Sequence, residues 1–224
     1  YLLDAGGTRY VMRKKPPGEL LKSAHQVDRE YRVMTALADH GVPVPKTFLL
    51  CDDDAIVGTP FFVMEHVEGR VMTDPWLRSM PESDRAALYD HFIEVLAAIH
   101  GVDLAKAGLE DYGRAGNYYE RQIGRWTKQY YASDTQPIPA MDALMEWLPS
   151  HIPDSDETTL VHGDYRIGNC IVHPTEPRLV AVLDWELSTP GHPLGGVGYA
   201  CTMYLPYRGG ETPKKPGGGA EDEV

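Results

Sequence analysis

The sequence predicts an α+β protein in two parts, a β-rich segment to about Gly69 and a mostly helical segment after it. Three observations carry this. The chain opens on two short β-prone runs around Gly6-Gly7, and a third apolar run follows at Thr59–Val67. From Pro81 onward, apolar residues recur at helical spacing through three stretches. Late in the chain, Leu160–Leu187 reads as a loop followed by a tight β-hairpin.

Taken in order, Tyr1-Leu2-Leu3 and Thr8–Arg13 are strands joined across Asp4-Ala5-Gly6-Gly7, an ordinary hairpin turn rather than a phosphate loop. A helix runs from about His25 to Asp39. Val27, Tyr31, Met34 and Ala38 share one face, and Gly41 with Val42-Pro43-Val44-Pro45 stops it. Thr59–Val67 is a strand that turns polar and ends at Glu68-Gly69. Pro81–His100 is a long amphipathic helix whose buried stripe is Leu88, Phe92, Val95, Leu96 and Ile99. Glu82 and Asp84 suit its positive N-terminal end, and His100 caps or packs. Asn117–Tyr131 is a helix in which Arg, Trp and Tyr interleave. A place in the core is favoured over a nucleic-acid or nucleotide-like surface, because the surrounding chain is acidic. Met141–Leu148 is helical and stopped by Pro149. After Tyr199 the sequence turns Gly/Pro-rich, and from about residue 208 it has the composition of a flexible tail.

The hairpin concentrates the chemistry. Ile171-Val172-His173 runs out, Pro174–Pro177 turns, and Leu179–Leu183 returns. Its open end brings Asn169, just before the first strand, near Asp184, just after the second, with Asp164 on the loop feeding in. Three oxygen-bearing side chains at one end of a hairpin suit a hard cation such as Mg²⁺. His162-Gly163-Asp164, four residues and then Asn169 form the H-x-D-x-x-x-x-N layout of kinase catalytic loops, with a second acidic residue after the following strand. Phosphoryl transfer needs a carboxylate to orient the acceptor hydroxyl and oxygen ligands to hold Mg²⁺ against the phosphates. Arg166 sets a guanidinium near the transferring phosphate, while His162 reads as a structural brace and Trp185 as packing.

VHGDYRIGN followed by VLDWELSTPGHPL resembles the aminoglycoside phosphotransferase/choline kinase-like superfamily. More narrowly, the chain is similar to the kinase-like domain of acyl-CoA dehydrogenase family proteins and to free-standing bacterial relatives. RKKPPGELLKSAHQVDREYRVMTAL, GVPVPK, GTPFFVMEHVEG, NYYERQIGRWTKQY, IPAMDALMEWLP and HPTEP extend the likeness over most of the first 200 residues. The resemblance implies a two-lobed protein-kinase-like fold, with a nucleotide-binding lobe over residues 1–69 and a catalytic and substrate lobe over 70–224. It places the first strand and the phosphate-covering loop upstream of Tyr1, and it leaves the C-terminal helices of relatives absent.

The resemblance also implies roles. The strand cation on the α/β-phosphates aligns best with Arg13, Lys14 and Lys15 being the alternatives. Glu30 pairs with that cation, and backbone groups near Glu65, His66 and Val67 read the adenine edge. Asp164 orients the acceptor, Asn169 and Asp184 hold Mg²⁺, and Glu186 is either a further metal contact or a rim carboxylate. Relatives commonly carry an acidic residue where this chain has Gly168, and D-P-L-A-D where it has His192-Pro193-Leu194-Gly195-Gly196. These departures bear on the acceptor pocket rather than on Asp164, Asn169 or Asp184.

Composition excludes other classes. A formal charge of −12 disfavours nucleic acid and anionic membranes, although residues 1–32 hold seven Lys/Arg against four Asp/Glu, a surface suited to a polyphosphate. No apolar run is long enough to span a membrane and no signal pattern opens the chain. The start at Tyr1 fits a fragment of a longer protein. Three scattered cysteines, Cys51, Cys170 and Cys201, make neither a disulfide framework nor a zinc site and fit a reducing, cytoplasmic setting. The sequence thus points to an ATP- and Mg²⁺-dependent phosphotransferase acting on a hydroxyl of a small molecule. A hydroxyacyl-CoA is favoured through the resemblance, which also implies association with an acyl-CoA dehydrogenase. An aminoglycoside or amino-alcohol kinase and a non-catalytic nucleotide or acyl-CoA module are the alternatives. A metallophosphatase is disfavoured because no D-x-H precedes Asp164.

Overall fold

The computed structural model describes residues 1–15, 27–133, 136–155, 157–202 and 204. The chain opens with β1 (Leu2–Ala5) and β2 (Thr8–Lys14), then α1 (Val27–Leu37), β3 (Thr47–Cys51), the short α2 (Asp54–Val57) and β4 (Phe61–Glu65). These four strands form one antiparallel sheet in the order β1-β2-β4-β3. Ala5 pairs with Thr8 across Gly6 and Gly7, which sit at φ 62° and 80°. A two-residue hairpin demands that backbone, and glycine adopts it without steric cost.

The second part contains β5 (Arg70–Val71), α3 (Glu82–His100), α4 (Tyr118–Ala132), α5 (Pro139–Trp147), β6 (Thr159–Val161), β7 (Cys170–Val172), β8 (Leu179–Val182), β9 (Thr189–Gly191) and α6 (Pro193–Thr202). β7 and β8 form the predicted hairpin, β5 adds to its open edge, and β6 pairs with β9. All five residues of the predicted α3 stripe are buried. The stripe meets the catalytic segment directly. Tyr165 stacks on Phe92 with ring centroids 4.3 Å apart and donates from its hydroxyl to the Phe92 carbonyl at 2.7 Å.

One hydrophobic cluster joins the two parts. Val33, Met34 and Leu37 of α1 and Phe62 of β4 belong to it together with Leu96 of α3, Val182 of β8 and Trp185. Each such side chain withdrawn from water is worth roughly 1.5–3 kcal/mol before entropy is counted. Polar ties fix the register of α1 against the late segment. Arg29 donates to the carbonyls of Tyr112 (2.8 Å) and Ser188 (3.3 Å), and the Val182 N–H donates to the Pro43 carbonyl at 2.8 Å. These ties set Glu30, on α1, beside the segment that follows β8.

One expectation needs correction, and one helix carries no sequence signal. α4 is present, but none of its residues is buried, so it is no core helix. Its apolar side lines cavities described below. Pro193–Thr202 is helical, which the glycine-rich sequence around Gly195 and Gly196 does not signal. Close packing favours small residues there, because a Cβ on Gly196 would lie 2.6 Å from His100 Nε2 and one on Gly195 2.7 Å from Tyr118 Cε1. At the end of α3, His100 packs against Gly196, and the Gly101 N–H closes the helix on the Ala97 carbonyl at 2.8 Å. The first residues of the predicted His25–Asp39 helix and the tail from about 208 lie outside the described residues. Among the described residues, no helix is long and apolar enough to cross a membrane.

Candidate active site

β6 delivers His162-Gly163-Asp164 into the cleft. His162 is fully buried, its Nδ1 accepts the Asp164 N–H (3.2 Å), and its Nε2 lies 2.9 Å from the Leu183 carbonyl. An Nδ1 that accepts leaves the proton on Nε2, so the ring is a neutral brace between loop and hairpin. Burial agrees with this, pushing its pKa down to about 4. Gly163 has φ 87°, and a Cβ there would come within 2.5 Å of the Leu187 carbonyl oxygen. Only glycine turns the chain there without displacing backbone.

Asp164 is held on both oxygens. Oδ2 accepts from Asn169 Nδ2 at 2.7 Å and from Arg166 Nε at 3.3 Å, and Oδ1 accepts from the Tyr199 hydroxyl. Asn169 is buried, and the same amide nitrogen also reaches the Asp164 carbonyl at 2.9 Å. Its nitrogen is therefore committed, which leaves the side-chain oxygen as a ligand. The Arg166 guanidinium lies against Gly168, where a Cβ would be 2.5 Å from Nη1.

Asp184 follows β8 in the left-handed region, at φ 67° and ψ 53°. That conformation is uncommon outside glycine, asparagine and aspartate, and it turns the carboxylate out of the strand direction. Trp185, fully buried and donating from Nε1 to the Val182 carbonyl at 3.0 Å, anchors the turn. Asp184 Oδ1 then receives Arg13 Nη2 at 2.7 Å, Glu186 Oε2 lies 3.4 Å from the same nitrogen, and Arg13 Nε meets Glu30 Oε2 at 2.5 Å. Of the three candidate cations, Arg13 is the one in this cluster; Lys14 reaches the Tyr1 ring instead.

Among the described residues, the Arg13 guanidinium faces the three carboxylates of Glu30, Asp184 and Glu186. The strain falls on Glu30, which is 2% exposed. Burial pushes its pKa up to about 7 against the opposing pull of Arg13, and the nearby Asp184 and Glu186 carboxylates add to the rise. Such a cluster fits a divalent cation. Hard oxygens from Asn169 and Asp184 suit Mg²⁺, which keeps most of its remaining ligands as water or phosphate. Among the described residues no three His, Cys, Asp or Glu side chains converge as a self-sufficient metal site.

The predicted hinge is partly committed. The Glu65 N–H donates to the Lys46 carbonyl at 2.8 Å and its carboxylate accepts the Lys46 N–H at 3.2 Å, while His66 Nδ1 lies 3.7 Å from Glu68. Of the three residues, His66 and Val67 lie beyond the end of β4.

On the other side of Asp164 lies a cavity of about 330 Å³, lined by Gly163, Tyr165, Leu187 and Tyr199 together with Tyr118 and Trp126 of α4. It shares Tyr119, Gln122 and Trp126 with an apolar space of about 500 Å³ between α4 and α5, walled by Met141, Leu144 and Leu148. Among the described residues, no Asp or Glu lines either space, and Arg125 lines the first. Sequence reasoning missed Tyr199 on Asp164. The two lie 35 positions apart, and the glycine-rich run around Tyr199 gives no helical signal.

The family model for phosphotransferase enzymes matches residues 1–219. The chain belongs to that family. Curated relatives include chicken acyl-CoA dehydrogenase family member 11, 50% identical over 92% of this chain and 26% of its own length. Mouse acyl-CoA dehydrogenase family member 10 is 48% identical over 91% of this chain and 19% of its own. The chain thus spans about a quarter or less of these relatives. A Ralstonia eutropha crystal structure, classed provisionally as an aminoglycoside phosphotransferase, is 52% identical with a TM-score of 0.83, over 93% of this chain and 61% of that one. A thermostable aminoglycoside phosphotransferase in complex with ADP and hygromycin B is 19% identical with a TM-score of 0.64, over 88% of this chain and 66% of that one. The fold is therefore the protein-kinase-like fold of these phosphotransferases, as the sequence predicts.

Proposed function

We propose that this chain carries out ATP- and Mg²⁺-dependent phosphoryl transfer to a hydroxyl of a small molecule, with a hydroxyacyl-CoA as the favoured acceptor. The observation that carries the reading is the meeting of Arg13 with Asp184, 171 positions later, at the open end of a hairpin whose first strand is preceded by Asn169, bonded to Asp164. In this reading Arg13, held by Glu30, steadies the α/β-phosphates, and the peptides of His66 and Val67 read the adenine edge, with the Glu65 N–H already spent. Asn169 and Asp184 would hold Mg²⁺, which when bound would supply positive charge against the phosphates. Asp164 accepts the acceptor's proton as the new O–P bond forms and the bond from the γ-phosphorus to the bridging oxygen breaks to leave ADP, and Arg166 balances the γ-phosphate charge.

The choice of acceptor rests on the cavity chemistry. A polycationic amino sugar is best met by carboxylates, and among the described residues none lines the two spaces beside Asp164. An apolar tail has the α4–α5 space to enter, and Arg125 suits an acceptor with anionic groups. The names of the curated relatives support an acyl-CoA connection and favour an acyl-CoA dehydrogenase as the working partner. The test is mass-spectrometric detection of phosphate transfer by the full-length gene product with Mg-ATP and a panel of hydroxyacyl-CoAs, amino sugars and amino alcohols. Phosphorylated hydroxyacyl-CoA that disappears in Asp164→Asn supports the reading. Transfer only to amino sugars overturns the acceptor, and absence of Mg-ATP binding overturns the function.

A further inference from the structure

Asp164 presents two oxygens with different fates. Oδ2 is committed inside the loop to Asn169 and Arg166, whereas Oδ1 receives the hydroxyl of Tyr199 from α6. Tyr199 is 42% exposed and lines the cavity of about 330 Å³, together with Gly163 and Tyr165, the two chain neighbours of Asp164. Burial, reinforced by the bond to Asp164, pushes the phenol up to about 12, so it remains a protonated donor. A phenol donating to Oδ1 makes the same contact that an acceptor hydroxyl makes with a general base. The two hydroxyls compete for one lone pair.

We propose that Tyr199 is a removable cap on Asp164, holding the acceptor's place and keeping water off the base until an acceptor hydroxyl displaces the phenol. This inference rests on the phosphotransferase reading and deepens it, because it names what discriminates the acceptor from water. The reaction it suppresses is hydrolysis. A water oxygen bonds to the γ-phosphorus of ATP, its proton passes to Asp164 Oδ1, and the bond from the γ-phosphorus to the bridging oxygen breaks to leave ADP and inorganic phosphate.

Tyr199→Phe keeps the ring and removes the donor, and it is read with Mg-ATP and no acceptor, using the full-length gene product. The cap predicts that phosphate release rises roughly tenfold, the factor that goes with one hydrogen bond to a charged group. It also predicts that the double variant Tyr199→Phe/Asp164→Asn loses the whole gain, whereas a merely structural tyrosine gives no gain to lose. Calorimetric titration of Mg-ATP into each protein separates the two ideas. Nucleotide binding with unchanged or lower hydrolysis in Tyr199→Phe overturns the cap alone, as does a gain that survives Asp164→Asn. Failure of the wild type to bind Mg-ATP overturns the phosphotransferase reading and the cap with it.

Discussion

On one side of Asp164, Arg13 binds Glu30, Asp184 and Glu186 in a half-buried cluster; on the other, α4 and α5 face each other across Trp126, Met141 and Leu144 without a carboxylate. The first region is held by directional, charged contacts that leave its side chains few alternatives. The second is a set of apolar surfaces in which substitutions alter shape before they alter chemistry. On the proposed phosphotransferase reading, the contrast teaches that donor handling and acceptor choice are separable. A charged donor side would then demand particular residues, while an apolar acceptor side would tolerate many that fill space.

The contrast breaks most sharply at Asp164. Asp164→Asn is expected to lower kcat by about 10²–10⁴, the usual yield of a positioned general base, with the melting temperature nearly unchanged. A comparable loss from an α5 substitution such as Leu144→Ala would erase the distinction between the two sides.

Glu30 gives the next effect, on stability. Its pKa in the fold is about 7, above the ordinary carboxylate value of 4.5, so the folded chain holds this proton more tightly than the unfolded one. That contribution is complete below the unfolded pKa and is lost as pH rises through the folded one. Melting curves from about pH 5 to about pH 8 should therefore show the wild type losing stability relative to Glu30→Gln as pH rises. His162 works in the opposite sense, because its depressed pKa makes its contribution disappear as pH falls through about 4. Comparing wild type with the single variant isolates Glu30 from that background.

The smallest effect belongs to the apolar side. Trp126→Ala, on α4 between the two cavities, is expected to raise the acceptor KM by about tenfold with kcat retained, as for loss of part of an apolar contact. Steady-state kinetics with varied acceptor checks it. A fall in kcat at constant KM would move Trp126 to the chemistry.

The same contrast explains what was legible in the sequence. The α3 stripe, the Gly6-Gly7 hairpin and the β7–β8 return were readable because each follows from local periodicity or turn chemistry. Asp164, Asn169 and Asp184 were readable because a hairpin fixes the separation of its own open ends. Arg13 and Glu30 required the family pattern, since nothing local says that a strand cation meets a helix glutamate. Tyr199 and the course of α6 were not legible. Gly195 and Gly196 lower helix propensity, and the helix exists because its backbone packs closely on Tyr118 and His100. α4 misled for a related reason: its apolar period marks a cavity wall rather than a core face.

The most direct measurement is isothermal titration of ATP into the protein with and without Mg²⁺, for the wild type and Asp184→Asn. The account predicts binding that requires Mg²⁺ in the wild type and is lost or greatly weakened in Asp184→Asn. ATP binding that is indifferent to Mg²⁺ and to Asp184, or no binding at all, would contradict the assignment of the Arg13–Asp184 cluster as a metal–nucleotide site.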